Sequence, residues 1–211
     1  MITRRFAFAA LTVWAMALWC APASATATPN GESAASAFIE SLAQEAVQAL
    51  TIKDVTFDDR LKRFRQLFAA NFDVPIIGKW VLGRYWNKAS DAEKDEYFKL
   101  FEEYVAITYV NRFDQYSGES IKVVKTVSET GSDTIVYSEI HRPTGGEPIR
   151  VDWRVRSESD VYKIIDVYVQ GISMSQTQRK EFASVIRNNG GEVKGLIDEM
   201  RKQIAKLSAV N

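Results

Sequence analysis

The sequence predicts an α+β fold in which helices pack on the concave face of a bent, four-stranded antiparallel sheet. Three observations predict it. Apolar residues recur every three to four positions before Tyr116 and again after Ser173, as in amphipathic helices. Between Ile121 and Val169 the period falls to two, which is typical of strands with one buried face. Short links join these strands and favour antiparallel neighbours, because parallel pairing needs long crossovers.

The first 25 residues are predicted to be a cleaved secretory signal peptide (1–25). Arg4 and Arg5 precede a long apolar run, which is followed by the small residues Ala23-Ser24-Ala25. We expect cleavage after Ala25, with Ala27 as the second possibility. A retained membrane anchor is the alternative, although the apolar run is shorter than the roughly 20 residues that a spanning helix needs. Residues 26–32 are then expected to be a flexible N-terminus, and residues 33–211 a single domain.

Composition excludes several classes of protein. The 211 residues contain 27 basic and 27 acidic side chains, and removal of the signal peptide, with its two arginines and no acid, leaves a net charge of about −2. A polybasic nucleic-acid-binding protein is therefore not expected. Cys20, the only cysteine, lies in the signal peptide. The mature chain would then have no disulfide, no thiol nucleophile and no cysteine-based metal site.

Four helices are predicted before the sheet. The first, from Ser33, carries an apolar stripe at every fourth residue, and the second begins near Asp58. The third begins at Asp73-Val74-Pro75, where the missing N–H of proline is not needed, and ends near Gly83. The capping box Ser90-Asp91-Ala92-Glu93 opens the longest helix, to about Asp114, which has a broad aromatic stripe.

The strand predictions depend on alternation and on turn-like breaks. Ile149, Val151, Trp153 and Val155 alternate with charged residues, and residues 121–127, 134–141 and 161–169 follow the same pattern less strictly. After Ser173 the helical period returns in two further helices, separated by Asn188-Asn189-Gly190-Gly191. No repeat of 20 to 50 residues occurs, so a solenoid is not expected.

Catalytic motifs are absent from the sequence. There is no G-x-S-x-G elbow, no phosphate-binding loop and no H-E-x-x-H zinc motif, and His141 is the only histidine. Asp152 stands between Arg150 and Arg154, where we expect an exposed charge ladder. Asp166 lies in an apolar strand and is expected to be partly buried with a structural hydrogen-bonding role, with general-base catalysis as the alternative.

Large apolar side chains are unusually abundant in the helical half and on one strand. Trp80, Tyr85 and Trp86 cluster within seven residues, and Trp153 comes from the sheet. These side chains could simply fill a well-packed core. A bent sheet under helices can also enclose an apolar cavity, and the sequence alone leaves both possibilities open.

Several separated motifs resemble one known family. They stand in order along the chain as Phe72-Asp73-Val74-Pro75, Val81-Leu82-Gly83-Arg84-Tyr85-Trp86, Tyr116-Ser117-Gly118, Val151-Asp152-Trp153-Arg154-Val155, Asp166-Val167-Tyr168-Val169-Gln170-Gly171-Ile172-Ser173 and Gln178-Arg179-Lys180-Glu181-Phe182-Ala183-Ser184. Together they resemble the MlaC or toluene-tolerance family, over about residues 38–207. Proteins of this family are soluble periplasmic components of an ABC system that moves phospholipids between the two membranes, and one branch is associated with hopanoid lipids.

The resemblance implies a lipid carrier, not an enzyme, with an NTF2-like or cystatin-like fold and no cofactor other than its phospholipid cargo. It implies two docking partners, an inner-membrane ring of the mammalian-cell-entry type and an outer-membrane lipoprotein complex, and we expect a monomer. Apolar positions near the matching motifs are expected to contact the acyl chains, namely Trp80, Val81, Tyr85, Phe98, Phe101, Val105, Tyr109, Val151, Trp153 and Val167. Arg84 or Arg150 could meet an anionic headgroup at the mouth, although an arginine on a wet strand face usually serves only solubility.

Three alternatives remain open at this point. The cargo could be a hopanoid or another polycyclic lipid rather than a phospholipid. The chain could be an NTF2-like enzyme acting on a small apolar substrate, with Asp166 or His141 as the base. It could also be an interaction module whose aromatic residues only pack.

Overall fold

The computed structural model describes residues 29–209, except residues 53, 111, 112, 114 and 115. It contains six helices and a five-stranded sheet within these residues. The helices are α1 (Pro29–Leu50), α2 (Phe57–Asn71), α3 (Val74–Leu82), α4 (Asp91–Val110), α5 (Met174–Asn188) and α6 (Val193–Ser208). The strands are β1 (Ser120–Ser128), β2 (Asp133–His141), β3 (Ile149–Glu158), β4 (Val161–Val169) and β5 (Ile172–Ser173), and a 3-10 turn at Gly83–Lys88 follows α3.

The sheet is an antiparallel meander in the order β1-β2-β3-β4-β5. Its register shifts by one residue at Val124 in β1 and at Ile165 in β4, and such bulges bend a strand and increase its twist. The α+β prediction is confirmed. The fifth strand, of two residues, is an addition to the four that were predicted. It forms because Gln170 and Gly171 both have positive φ, which lets the chain reverse in a two-residue hairpin turn.

The first helix begins earlier than expected. Residues 29–32 were predicted to be flexible, but α1 begins at Pro29, and proline is tolerated in the first turn of a helix. The carboxylate of Glu32 accepts hydrogen bonds of 2.9 Å from both the backbone N–H and the hydroxyl of Ser128. These bonds attach the first turn of α1 to the end of β1. The predicted signal peptide lies outside the described residues.

The predicted start signals of α3 and α4 are confirmed. The side chain of Asp73 accepts a hydrogen bond of 3.0 Å from the N–H of Ile76, and Gly83 caps the other end of α3 with a φ of 59°. Ser90 and Glu93 form a reciprocal capping box, with each side chain accepting a hydrogen bond from the other residue's backbone N–H. The described part of α4 runs from Asp91 to Val110, and the predicted end near Asp114 lies outside the described residues.

Two apolar layers hold the fold together. Helices α3 to α6 pack on one another around Tyr97, Phe101, Phe182 and Met200, all of which are buried. On the other side α1 packs on the inner face of the sheet. The N–H of Asp73 donates to the carbonyl of Ile164, which ties the start of α3 to β4. None of the described helices is long and apolar enough to cross a membrane.

Candidate functional site

A large apolar cavity lies between the sheet and the helices. Its volume is about 1030 Å³, and α1 to α5 and strands β1 to β4 all contribute to its wall. That volume is at the upper end of the range of roughly 300–1,000 Å³ found for small-molecule pockets. The cavity therefore resolves the ambiguity of the sequence, because the aromatic-rich half of the chain is only partly a filled core.

Strands β3 and β4 supply an apolar part of the wall, in which the indole N–H of Trp153 is already paired. Val151, Trp153 and Val167 project from β3 and β4 to line the cavity. The indole N–H of Trp153 donates to the hydroxyl oxygen of Ser138 at 3.0 Å, and that hydroxyl in turn donates to the carbonyl of Val151 at 2.6 Å. Because Ser138 is buried and fully engaged, Trp153 presents an apolar ring to the cavity rather than a free donor.

The helical wall comes from apolar residues of α1 to α5 that lie at the edge of the packed core. On α1 the stripe that includes Ile39, Leu42 and Ala46 turns toward the cavity. Phe101, one of several α4 residues at the wall, stacks on Tyr97 in the layer behind it, with ring centroids 5.7 Å apart. This contact fixes the wall to the core.

Seven of the ten residues that the sequence analysis selected line this cavity. They are Val81, Phe101, Val105, Tyr109, Val151, Trp153 and Val167. The structure brings them together from α3, α4, β3 and β4, although they span nearly ninety positions of the sequence. Their contact with a lipid remains a prediction.

The other three selected residues lie elsewhere. Trp80 is 43% exposed on the outer side of α3, because consecutive residues of a helix point about 100° apart and Val81 occupies the inner side. Tyr85 is buried in the helical core, with its hydroxyl accepting a hydrogen bond from Arg84 at 3.1 Å. Phe98 packs against Gly78 so closely that a Cβ at that glycine would lie 2.7 Å from the ring. None of the three lines the cavity as the structure describes it.

The two candidate headgroup residues also lie away from the cavity. Arg84 is directed at Tyr85. Arg150 alternates with Val151 and therefore lies on the outer face of the sheet, where its guanidinium pairs with Asp152 at 2.6 Å. Asp152 was expected to be exposed, but it is only 3% exposed because Arg150 covers it.

A second buried carboxylate stabilises the outer face of the sheet. Asp133 accepts hydrogen bonds from Arg154 at 2.9 Å and from Arg156 at 2.7 Å. Burial raises the pKa of Asp133, but the hydrogen bonds and charges of Arg156 and Arg154 outweigh this effect and hold the pKa below its ordinary value. The arginines of β3 are therefore structural partners of buried acids.

The two candidate bases have structural partners. Asp166 accepts hydrogen bonds from the N–H groups of Val167 and Ser175 and from the hydroxyl of Ser173, so it joins β4 to the first turn of α5. This agrees with the structural role expected for it. His141 lies outside the cavity wall and contacts Glu139 at 3.1 Å. Among the described residues, no three His, Cys, Asp or Glu side chains form a group that could hold a metal ion.

The lining includes polar residues where the cavity meets solvent. Gln44 and Gln48 of α1 and Ser120 of β1 are exposed and also belong to the lining. Their positions indicate that the cavity opens to solvent beside α1 and the start of β1. The rest of the lining is mostly aliphatic and aromatic.

Sequence reasoning did not select the residues that α1 and α2 contribute to the cavity. These include Leu42, Ala46, Val47, Leu67, Phe68 and Phe72. The signal was present as the apolar stripe of α1, whose positions recur four residues apart. This stripe could not reveal a cavity, because periodicity shows which face of a helix is buried and not whether a neighbour fills the space beside it.

Comparison with known proteins identifies the family. The family model for MlaC protein matches residues 40–202, which is well over half of the chain. The chain belongs to the MlaC family. The resemblance predicted from the sequence motifs is thereby confirmed.

Two known proteins are similar to this chain. The intermembrane phospholipid transport system binding protein MlaC of Haemophilus influenzae is 24% identical over 138 residues, and the alignment covers 64% of this chain and 63% of that protein. A phospholipid-binding protein from Ralstonia solanacearum, solved in complex with a phospholipid, superposes with a TM-score of 0.72 at 21% identity. That match covers 82% of this chain and 98% of the other chain, and it shows that the two share a fold.

Proposed function

We propose that this protein is a periplasmic phospholipid carrier that holds acyl chains in the cavity between the sheet and the helices. The observation that carries the proposal is the apolar cavity of about 1030 Å³. Two similar proteins support the choice of cargo, since one is described as the binding protein of a phospholipid transport system and the other was solved in complex with a phospholipid.

The free energy of hydrating an acyl chain explains why such a carrier is needed. Exposing a chain of about 16 carbons to water costs roughly 13 kcal/mol, at about 0.8 kcal/mol for each methylene. A lipid that had to cross an aqueous space alone would meet this barrier. An apolar wall removes the barrier by shape and exclusion of water, and no hydrogen bond to the tail is needed.

The size of the cavity also argues that it has an occupant. If the whole volume stood dry and empty, the cost would be about 25 kcal/mol at about 24 cal/mol per Å³. A domain of this kind has a net stability of only about 5–15 kcal/mol. Water would fill the space, but the apolar wall offers it few hydrogen-bonding partners. An acyl chain fills the volume and needs no hydrogen-bonding partner from the wall.

The proposed route uses two partners and an exported protein. After cleavage of the signal peptide, the carrier accepts lipid at one membrane and delivers it at the other, docking on an inner-membrane ring of the mammalian-cell-entry type and on an outer-membrane lipoprotein complex. These partners, the periplasmic location and the monomeric state are inferred from the resemblance to the MlaC family. A hopanoid cargo is the alternative within the same mechanism, since a polycyclic lipid needs the same apolar wall.

A vesicle assay tests this function. Protein stripped of lipid should accelerate the transfer of fluorescent phosphatidylethanolamine from donor to acceptor vesicles. Transfer no faster than in buffer, by a folded protein, would contradict the proposal. The Asp166→Asn/His141→Gln double variant should retain transfer, whereas an enzyme that used either residue as its base would lose its turnover.

A further inference from the structure

The outer side of α3, of the 3-10 turn that follows it and of α5 collects cations that form no ion pair with a carboxylate among the described residues. We call this surface the basic face and define it by its cations and one aromatic residue, namely Lys79, Trp80, Arg84, Lys88, Arg179, Lys180 and Arg187. No acidic residue occurs between Asp73 and Asp91. Within the part of the chain that the structure describes, none of the six cations forms an ion pair with a carboxylate.

The acidic residue of α5 is directed away from the basic face. Glu181 pairs with Gln178 at 3.3 Å, and Gln178 belongs to the cavity wall on the other side of the helix. Burial is the largest cause that raises the pKa of Tyr104 on α4, and the negative charge of Glu181 is the second largest. Glu181 therefore acts on α4 rather than on the basic face. The cations of the basic face are thus left without a carboxylate from their own helices.

A groove runs along the basic face beside Trp80. It has a volume of about 400 Å³, and Arg179, Lys180 and Arg187 line it together with Trp80. The guanidinium of Arg179 lies 4.7 Å above the centre of the Trp80 ring. It also lies against Gly83, where a Cβ would be only 2.8 Å from Nε of Arg179. The groove therefore holds at least one arginine in a fixed position.

We infer that the basic face docks an acidic segment of a partner protein, which places carboxylates on Arg179 and Arg187 and an apolar side chain beside Trp80. Arginine binds carboxylates through two parallel N–H donors, and tryptophan and arginine dominate the binding energy of many protein interfaces. This inference rests on the proposed function, because it assigns one of the docking steps of the carrier to a surface.

The shape of the groove favours a protein over a membrane. A membrane-binding surface presents its tryptophan free to enter the headgroup layer. Here the Trp80 ring is stacked under Arg179 at the side of a concave groove, which fits a protruding side chain. The same helix also reaches the cavity, because Ile77 and Val81 line it on the inner side of α3. A partner on the basic face would therefore lie one helix away from the cargo.

A peptide titration tests the inference. The probe is a fluorescein-labelled peptide rich in Asp and Glu with a central Leu-Leu pair, and its control has Asn and Gln in place of the acids. Fluorescence anisotropy should show salt-sensitive binding of the acidic peptide only. Arg179→Glu/Arg187→Glu should weaken this binding at least about tenfold, as expected for the loss of close charge pairs. Lys202→Glu/Lys206→Glu on α6 changes the net charge equally and should bind as the wild type does.

Three outcomes would overturn the inference. They are no binding to the wild type, equal binding to the Arg179→Glu/Arg187→Glu variant, and sedimentation with phosphatidylglycerol-containing vesicles in place of peptide binding. Arg179→Gln/Arg187→Gln replaces the charge-reversed variant should that one fail to fold. The lipid content of each variant is measured in parallel. If the wild-type protein contains lipid but does not bind the peptide, only the docking surface is contradicted. If the folded wild-type protein contains no lipid, the proposed carrier function is contradicted.

Discussion

Replacing Ala46 of α1 by tryptophan fills part of the cavity from its helical wall. Ala46 lines the cavity and is small and partly exposed, so the new ring has space to enter. The substitution adds about nine non-hydrogen atoms, and if each displaces one methylene of the cargo, binding weakens by up to about 7 kcal/mol. Half of that effect still raises Kd about 300-fold, because about 1.4 kcal/mol corresponds to a factor of ten.

The assay for Ala46→Trp is the amount of lipid that copurifies with the folded protein, together with its rate of phospholipid transfer between vesicles. Both should fall to a small fraction of the wild-type value. Ala37→Trp on the same helix is the matched control, because Ala37 is exposed and lies outside the wall. Ala43→Trp provides a second cavity-filling variant. Full lipid content in both folded cavity variants would refute the assignment of the cavity as the lipid site.

Three further predictions concern the scaffold that shapes the cavity. Asp133→Asn should lower the free energy of unfolding at pH 7 by about 1–3 kcal/mol in urea melts, because it removes the carboxylate that pairs with two arginines. The folded-state pKa of Asp133 lies below 3.8, so its carboxylate stabilises the fold fully above about pH 4, and this stabilisation is lost as the pH falls through the folded-state pKa. The variant should therefore lose less stability in acid than the wild type. Equal dependence of stability on pH in the two proteins would contradict this prediction. Gly78→Ala should cost about 1–3 kcal/mol, because the new methyl group would meet Phe98 at 2.7 Å, and an unchanged urea midpoint would contradict that packing. Ser138→Ala should cost about 1–3 kcal/mol by leaving the Trp153 indole N–H without its partner, and an unshifted thermal midpoint would show that the bond is unimportant.

Local signals predicted the elements of this fold well. The alternation from Ile149 to Val155 located β3, and the capping box at Ser90 and Glu93 located the start of α4. These signals are short-range, because a cap or an alternating strand is specified by residues a few positions apart. The start of α1 was missed because the bonds between Glu32 and Ser128 join residues 96 positions apart.

The candidate site was predicted only in part, for a reason visible in α3. This helix is apolar on most of its surface, so Trp80 and Val81 looked equally suitable as wall residues. The structure turns Val81 to the cavity and Trp80 to the groove with Arg179. Aromatic content reports how much apolar surface must be buried, and only the packing of α3 on α5 decides on which side each ring lies.

Buried charges on β3 were the other feature that periodicity could not supply. The alternation predicted that Asp152 lies on the outer face, which is correct, but the outer face was taken to be solvated. Arg150 folds over Asp152 instead, and Arg154 and Arg156 do the same for Asp133 on β2. Long arginine side chains can cover a neighbouring strand position, so a face rich in arginine is not necessarily wet.

The most direct test of the central claim is an organic extract of the purified mature protein analysed by mass spectrometry. The carrier mechanism predicts about one phospholipid per chain in the extract, and removal of that lipid should lower the thermal midpoint by several degrees, as expected when a bound ligand is lost. A hopanoid in the extract would show that the cargo is a polycyclic lipid rather than a phospholipid, and the carrier mechanism would be unchanged. A folded protein that yields no lipid and takes none up from vesicles would contradict the account.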